Sequence, residues 1–297
     1  MPNESHTPIH THTATHSPSK DTILHNAFHK AFNGGIAGSM AMVIQVTSLM
    51  WMRTIMNYQY RYGSSTTEAF KILYKDGGVR RFYRGYIPAL AIGPLSRFGD
   101  TASNAFVLEM FKDSKLPTTV KTVCGSLSAA SFRAFLMPID AIKTTLQVEG
   151  KNGISLLRNK IAQHGMKVLF NGTLASMSAT FVGHYPWFLT YNLLNARIPK
   201  YKETWKKLLR SAFIGFNAAV ISDTCSNSLR VIKTTRQTSS DHISYLDSIK
   251  RVVDKDGLAG LFGRGLKTRI ITNGMQGIMF TIFWRLIEEK LSSRERH

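Results

Sequence analysis

Acidic residues are scarce in this chain. Asp and Glu number 18 against 38 Lys and Arg, a formal charge of +20 over 297 residues. A surplus of that size calls for an anionic counterpart: nucleic acid, an anionic membrane surface, or a transported anion. Cysteine is nearly absent. Cys124 and Cys225 each fall in an apolar stretch, outside any Cys-x-x-Cys pattern, so neither a disulfide framework nor a metal site is read from them. There is no Gly-rich phosphate loop, no His-Glu-x-x-His and no Gly-x-Ser-x-Gly. The expectation is a protein that is not an enzyme and carries no cofactor. The first twenty residues lack the apolar core of a secretory signal.

What the chain does have is a threefold internal repeat. Pro138–Gln147 reads Pro-Ile-Asp-Ala-Ile-Lys-Thr-Thr-Leu-Gln, and degenerate copies stand 90 residues to either side, at Ser48–Asn57 and Ser228–Gln237. A base recurs at Arg53, Lys143 and Lys233, a threonine at Thr54, Thr144 and Thr234, and an amide at Asn57, Gln147 and Gln237. Gly35, Gly125 and Gly215 stand 13 residues ahead of each copy. Later in each repeat a basic stretch runs into a glycine: Asp76 to Gly85, His164 to Gly172, and Asp256 to Gly265. Proline kinks the helix that carries it, and the repeated 90-residue spacing extends the expected bend at Pro138 to Ser48 and Ser228.

Six apolar segments accompany the repeats. Ala31 to Met52 holds no charge, enough residues to span a bilayer core, and Gly34, Gly35 and Gly38 permit close packing. The second, Gly85 to Met110, is interrupted by Arg97 and Asp100. The third, Val120 to Leu146, carries Arg133. The fourth, Gly172 to Asn195, includes His184. The fifth, Leu208 to Arg236, carries Asp223. The sixth, Gly265 to Leu291, has its clearest run from Ile270 to Trp284. Soluble helices would show a Lys and Glu stripe along each outer face, so six such segments argue against a soluble nucleic-acid binder. Short amphipathic helices are expected at 66–75, 153–163 and 243–255. Residues 1–24, rich in His, Thr, Ser and Pro, read as a solvated, disordered tail.

Three repeats of two apolar segments, the first closed by Pro-x-Asp-x-x-Lys, resemble the mitochondrial carrier family. The likeness covers about residues 25 to 291. It implies an all-α membrane protein of the inner membrane: six transmembrane helices in three pseudo-symmetric repeats, with three short matrix-side helices. The repeats would be 25–113, 114–202 and 203–297. It implies exchange of a small metabolite by alternating access through one central site. The protein would be a monomer unless recruited to a larger membrane complex. A transport-inactive member serving as a structural partner is the other reading, since two motif acids are missing.

The repeat arithmetic places Val43, Arg133 and Asp223 at one depth around the axis. Arg133 and Asp223 are either a buried ion pair between the third and fifth segments or a cation and anion that touch substrate. Ionisable groups inside a membrane cost roughly 2.5–3.5 kcal/mol each on insertion scales, so they face a cavity or a partner. His184, Asp100, Arg97 and Asn273 complete the candidate substrate contacts. By likeness to the family, the contact level lies near Ala91–Ile92, Ala179–Thr180 and Thr272–Asn273. Ala179 departs from the arginine that begins the family's keto-acid and amino-acid pairs. A mixed-charge solute suits Arg133 with Asp223.

The family closes its matrix side with a ring in which each motif acid meets the next motif's base. Here the acid positions hold Met50, Asp140 and Arg230. Asp140 with Lys233 is the single normal pair, braced by Gln147 or Gln237, with Lys143 beside it. Arg230 faces Arg53, two like charges that repel. On the outer side the family's aromatic-acid motifs read Ser103-Asn104, Tyr191-Asn192 and Phe283-Trp284, so Tyr191, Asn192 and Trp284 would close by packing. Cardiolipin or another anionic lipid is expected where Gly85, Gly172 and Gly265 open helices with free N–H groups, strengthened by Arg84 and Arg264.

Overall fold

The computed structural model describes residues 42–111 and 117–279. The tail 1–24, Gly34, Gly35, Gly38 and Trp284 lie outside them. Among the described residues every regular element is a helix. The helices are α1 (residues 42–62), α2 (Thr66–Lys75), α3 (Gly78–Phe82), α4 (Tyr86–Met110), α5 (Thr118–Phe135), α6 (Met137–Glu149), α7 (Gly153–His164), α8 (Thr173–Arg197), α9 (Thr204–Thr238), α10 (Tyr245–Gly263) and α11 (residues 266–279). Ser65 with Glu68 and Ser244 with Asp247 form reciprocal capping boxes that start α2 and α10.

Only one of the three expected bends interrupts a helix. Pro138 has no N–H and its ring clashes with the carbonyl four residues back. The chain breaks at Leu136, between α5 and α6. α1 and α9 continue as unbroken helix through Ser48 and Ser228. A serine keeps its N–H and has no ring, so the ladder continues.

The long helices close into a ring. Val46 and Met50 of α1 pack against Ala89 of α4. α4 lies on α5, α5 on α8, and α8 on α9. α11 is tied to α9 through Arg269 and Asp223, and Thr272 of α11 approaches the sulfur of Met52 on α1. Three small cores seat the short helices at one end: Ile55, Ala69, Leu73 and Phe82; Ala141, Leu157 and Leu169; and Tyr60, Val231, Ile232, Val252 and Leu261.

At that same end each repeat grips the next. The last carbonyls of a helix have no partner within it. Arg81 donates to the carbonyls of Gln147 and Val148, closing the end of α6 at 2.8 and 2.6 Å. Lys160 of α7 donates to the carbonyls of Gln237 and Ser239 at the end of α9, at 3.2 and 2.8 Å. Arg264 reaches the carbonyls of Tyr60 and Arg61 at the end of α1, at 3.5 and 3.2 Å. Asp76 and Asp256 orient the two arginines.

Among the described residues, no helix is long and apolar enough to cross a membrane. Where they are described, the expected spans are helical, but their polar residues are interspersed along the chain. α9 alone carries Asp223, Asn227, Arg230 and Lys233. α8 and α9 nonetheless expose apolar rows, Leu174, Phe181, Tyr185 and Phe188 on one and Leu209, Phe213 and Phe216 on the other, at the three- and four-residue spacings of one helix face.

Candidate functional site

The ring encloses a cavity of about 440 Å³. All six long helical segments contribute to its wall: Arg53 and Asn57 from α1, Ile92 and Ser96 from α4, Arg133 from α5 with Asp140 and Lys143 from α6, Ser176 and Ala179 from α8, Arg230 and Lys233 from α9, and Arg269, Thr272 and Asn273 from α11. Among the described lining residues the bases are Arg53, Arg133, Lys143, Arg230, Lys233 and Arg269, and the acid is Asp140.

Asp140 lies at the break where Pro138 begins α6. It is buried and takes both lysines at once, Lys143 on one oxygen at 2.5 Å and Lys233 of α9 on the other. The expected gate pair is therefore one arm of a fork. Lys143 belongs to it because a three-residue step on a helix returns to the same side.

The expected glutamine brace is not there. Gln147 accepts from Asn57 at 2.6 Å and points its amide N–H at the sulfur of Met50, so it ties α6 to α1. The side-chain amide of Gln237 is buried without a hydrogen-bond partner among the described residues. A methionine in the first acid position leaves Gln147 free to turn toward α1. Arg53 and Arg230 both line the cavity.

Asp223 is buried on α9. Its partners are Arg269, at 2.6 Å, and Asn273. Both are on α11 and one turn apart. Arg133, expected either to pair with Asp223 or to meet substrate beside it, lines the cavity. All four carboxylate oxygens of Asp140 and Asp223 are thus engaged. Arg269 stands one residue before the apolar run that begins at Ile270, so its charge reads as the border of that run. The signal was a charge inside the sixth segment, four residues ahead of Asn273.

His184 is not on the cavity wall. Its Nδ1 meets the hydroxyl of Ser126 at 2.8 Å, joining α8 to α5. The side chains of Arg97 and Asp100 lie outside the described residues, although their backbone is helical within α4. Tyr191 stacks on Trp187 of its own helix, with ring centroids 5.0 Å apart, and Asn192 is exposed.

The three glycines of the expected lipid sites are buried against neighbouring repeats. Gly85 has φ +78°, and a Cβ there would stand 2.8 Å from the carbonyl of Lys143. Gly172 lies against Lys233, and Gly265 against the ring of Tyr60. Arg84 is half-buried beside its glycine. Arg264 is buried, and Asp256 and the end of α1 take its guanidinium.

A helical ring around one basic cavity, built from three similar repeats, is the architecture of a small-solute carrier. Each repeat matches the model of the mitochondrial carrier protein family, over residues 24–115, 114–202 and 204–293, and the chain belongs to that family. Mitochondrial ornithine transporter 1 of Saccharomyces cerevisiae is 24% identical over 280 residues, covering 83% of this chain and 90% of its own. Calcium-dependent mitochondrial ATP-magnesium/phosphate carrier protein 2 of Arabidopsis thaliana is 23% identical over 269 residues, 80% of this chain and 51% of its own. Mitochondrial carrier-like protein L276 of Acanthamoeba polyphaga mimivirus is 26% identical over 178 residues, 60% of this chain and 67% of its own. The chain thus spans between half and two thirds of the length of these last two relatives. Members of the family are transporters rather than enzymes.

Proposed function

We infer that this chain is an inner-membrane carrier that moves a small metabolite through the enclosed cavity by alternating access. The observation that carries the reading is the cavity itself, walled by six long helical segments and floored by the Asp140 fork. On this reading the six segments cross the bilayer as three repeats, 25–113, 114–202 and 203–297. The apolar rows of α8 and α9 face lipid, and the polar residues that depress the hydropathy face the cavity. The short helices α2, α7 and α10 lie on the matrix side.

Arg133, Asn273 and Arg269 meet the solute, with Asp223 positioning the last two. Asp140, Lys143, Lys233 and Arg53 form the matrix gate, and Tyr191 with Trp284 the outer one. Cardiolipin binds at the buried glycines, with Arg84 as its side-chain cation. The relatives' names range from ornithine to ATP-magnesium and phosphate, so likeness alone leaves the solute open.

The test is reconstitution of the full chain into liposomes preloaded with pooled metabolites, followed by uptake of labelled solutes. Uptake that depends on internal solute supports exchange. No uptake from any pool favours the second reading, a transport-inactive partner of a membrane complex. The occupation of two motif-acid positions by Met50 and Arg230 speaks for that reading.

A further inference from the structure

The connection between α8 and α9 is short, basic and pinned from one side. Residues 197–210 carry six bases, Arg197, Lys200, Lys202, Lys206, Lys207 and Arg210, against one acid, Glu203. Arg210 is turned inward. Its Nε donates to the carbonyls of Ile198 and Pro199 at 3.2 and 2.9 Å. Its Nη atoms donate to the Asn195 side chain at 2.8 Å and to the carbonyls of Asn195 and Ile198 at 2.7 and 2.9 Å. One side chain of α9 thus caps the end of α8 and orders the turn. Lys206 bonds Glu203 at 2.8 Å and lies 5.2 Å from the centre of the Trp205 ring. Arg197, Lys200, Lys202 and Lys207 are exposed and make no ion pair among the described residues.

These cations stand just beyond the end of an apolar row. Trp205, Leu209, Phe213 and Phe216 are all exposed, at the three- and four-residue steps of one face of α9. α8 begins beside the short helices and runs 25 residues away from them, roughly 37 Å at the helical rise. The corner therefore lies at the opposite end from Gly85, Gly172 and Gly265. An indole closing an apolar row, with lysines just past it, follows the order of layers met on leaving a bilayer: acyl chains, then the interface that tryptophan prefers, then headgroup phosphates. Once Glu203 is matched with Lys206, four exposed bases remain. A zwitterionic headgroup has no net charge to neutralise them, and an anionic one does. An acidic protein has the charge as well, but the continuity of the Trp205 row with the lipid-facing stripe of α9 favours lipid.

We propose that the α8–α9 corner is a binding surface for anionic phospholipid headgroups of the leaflet opposite the matrix, with Trp205 seated at the interface and Lys200, Lys202 and Lys207 on the phosphates. The proposal rests on the reading that the six segments cross the bilayer, and it goes beyond that reading by naming a lipid partner at the outer end. The Arg210 clamp gives the site a built frame. A turn that is already ordered loses little further freedom when headgroups settle on it, and lipid held there anchors α8 and α9 together.

Quenching of tryptophan fluorescence by brominated lipid tests this in the full chain reconstituted into vesicles. Brominated phosphatidylglycerol and brominated phosphatidylcholine are compared at one mole fraction in unlabelled phosphatidylcholine. The Trp205 signal is the difference between the parent and Trp205→Phe. The anionic lipid should quench it about twofold more than the zwitterionic one, and added salt should erase the preference because the lysines are exposed. Lys200→Gln, Lys202→Gln and Lys207→Gln combined should abolish the preference and keep the quenching by phosphatidylcholine, since surface changes of this kind leave the fold intact. Equal quenching by the two lipids in the parent overturns the proposal, as does a preference that the triple variant retains. Shielding of Trp205 by polyglutamate without any lipid preference also overturns it and assigns the corner to an acidic protein. If neither lipid quenches Trp205 while the other tryptophans are quenched, the proposal falls and the membrane reading stands. Protein that does not float with the vesicles removes both. Liposome uptake reads transport separately, and an anionic preference without uptake keeps this proposal and favours the transport-inactive reading.

Discussion

Asp223 and Arg269 meet at 2.6 Å across 46 residues of sequence, and the contact holds α11 against α9 at the cavity wall. Removing the acid leaves Arg269 in the wall and Asn273 without its acceptor. Asp223→Ala should therefore lower stability by about 3–5 kcal/mol, the range for breaking a buried pair. Asp223→Ala combined with Arg269→Ala should recover part of that loss. The check is a double-mutant cycle in thermal or denaturant unfolding, and strict additivity would show the contact to be incidental.

The Asp140 fork makes the acid worth more than either base. Lys143→Met and Lys233→Met each leave one arm in place, whereas Asp140→Ala leaves two half-buried lysines facing each other. Closure at the motif end should weaken by about 1–3 kcal/mol in Asp140→Ala, and by less in each lysine variant. Cysteine-accessibility labelling from that side reads the difference. Equal labelling in all three variants would remove the fork from the gate.

Lys160 makes stability depend on pH. Burial, reinforced by Arg61 and Arg236 and opposed by Asp241, pulls its ammonium down to about 8 from the ordinary 10.5. Between those two values the unfolded chain binds a proton that the folded chain has shed. The contribution of this site therefore rises with pH from about 8 to 10.5 and is flat below 8. Lys160→Met should remove that rise while costing some stability at every pH, since the end of α9 loses its cap. Unfolding midpoints of parent and variant compared at pH 7.5, 8.5 and 9.5 decide it, and parallel curves would contradict the assignment.

The two arginines that precede glycines should separate in lipid experiments. Arg84→Ala should reduce cardiolipin retention in native mass spectrometry and leave stability within about 0.5 kcal/mol, as for a surface change. Arg264→Ala should do the opposite, keeping lipid and losing about 3–5 kcal/mol as a broken buried pair. Equal lipid loss in both would restore Arg264 to the lipid site.

The repeat was legible because it is written in one-dimensional spacing. A 90-residue step fixes which positions are equivalent, and helical periodicity placed α2, α7 and α10 close to where they lie. The pairings were not legible. Repeat symmetry sets Asp223 and Arg133 at one depth, as a pair or as two substrate contacts, but symmetry says nothing about reach. Arg269 reaches Asp223 from α11, and no spacing rule relates those two positions. The family ring implies Gln147 or Gln237 as a brace for the Asp140–Lys233 pair, yet the Gln147 amide faces Met50. Arg264 was given to lipid by its place beside a glycine. Its true partner, the end of α1, lies about 200 residues earlier in the chain.

The three grips at the ends of α6, α9 and α1 also order events during synthesis. Arg81 precedes the carbonyls of Gln147 and Val148, and Lys160 precedes those of Gln237 and Ser239, so each of these contacts can form as soon as the next helix has emerged. The third runs backwards. The end of α1 is the first to be made and the last to be capped, because its cation is Arg264. A ribosome-bound chain of two repeats would hold its newer junction and leave its oldest one open. A fragment ending before Arg264 should therefore be recognised by quality control through the end of α1, far from the point of truncation.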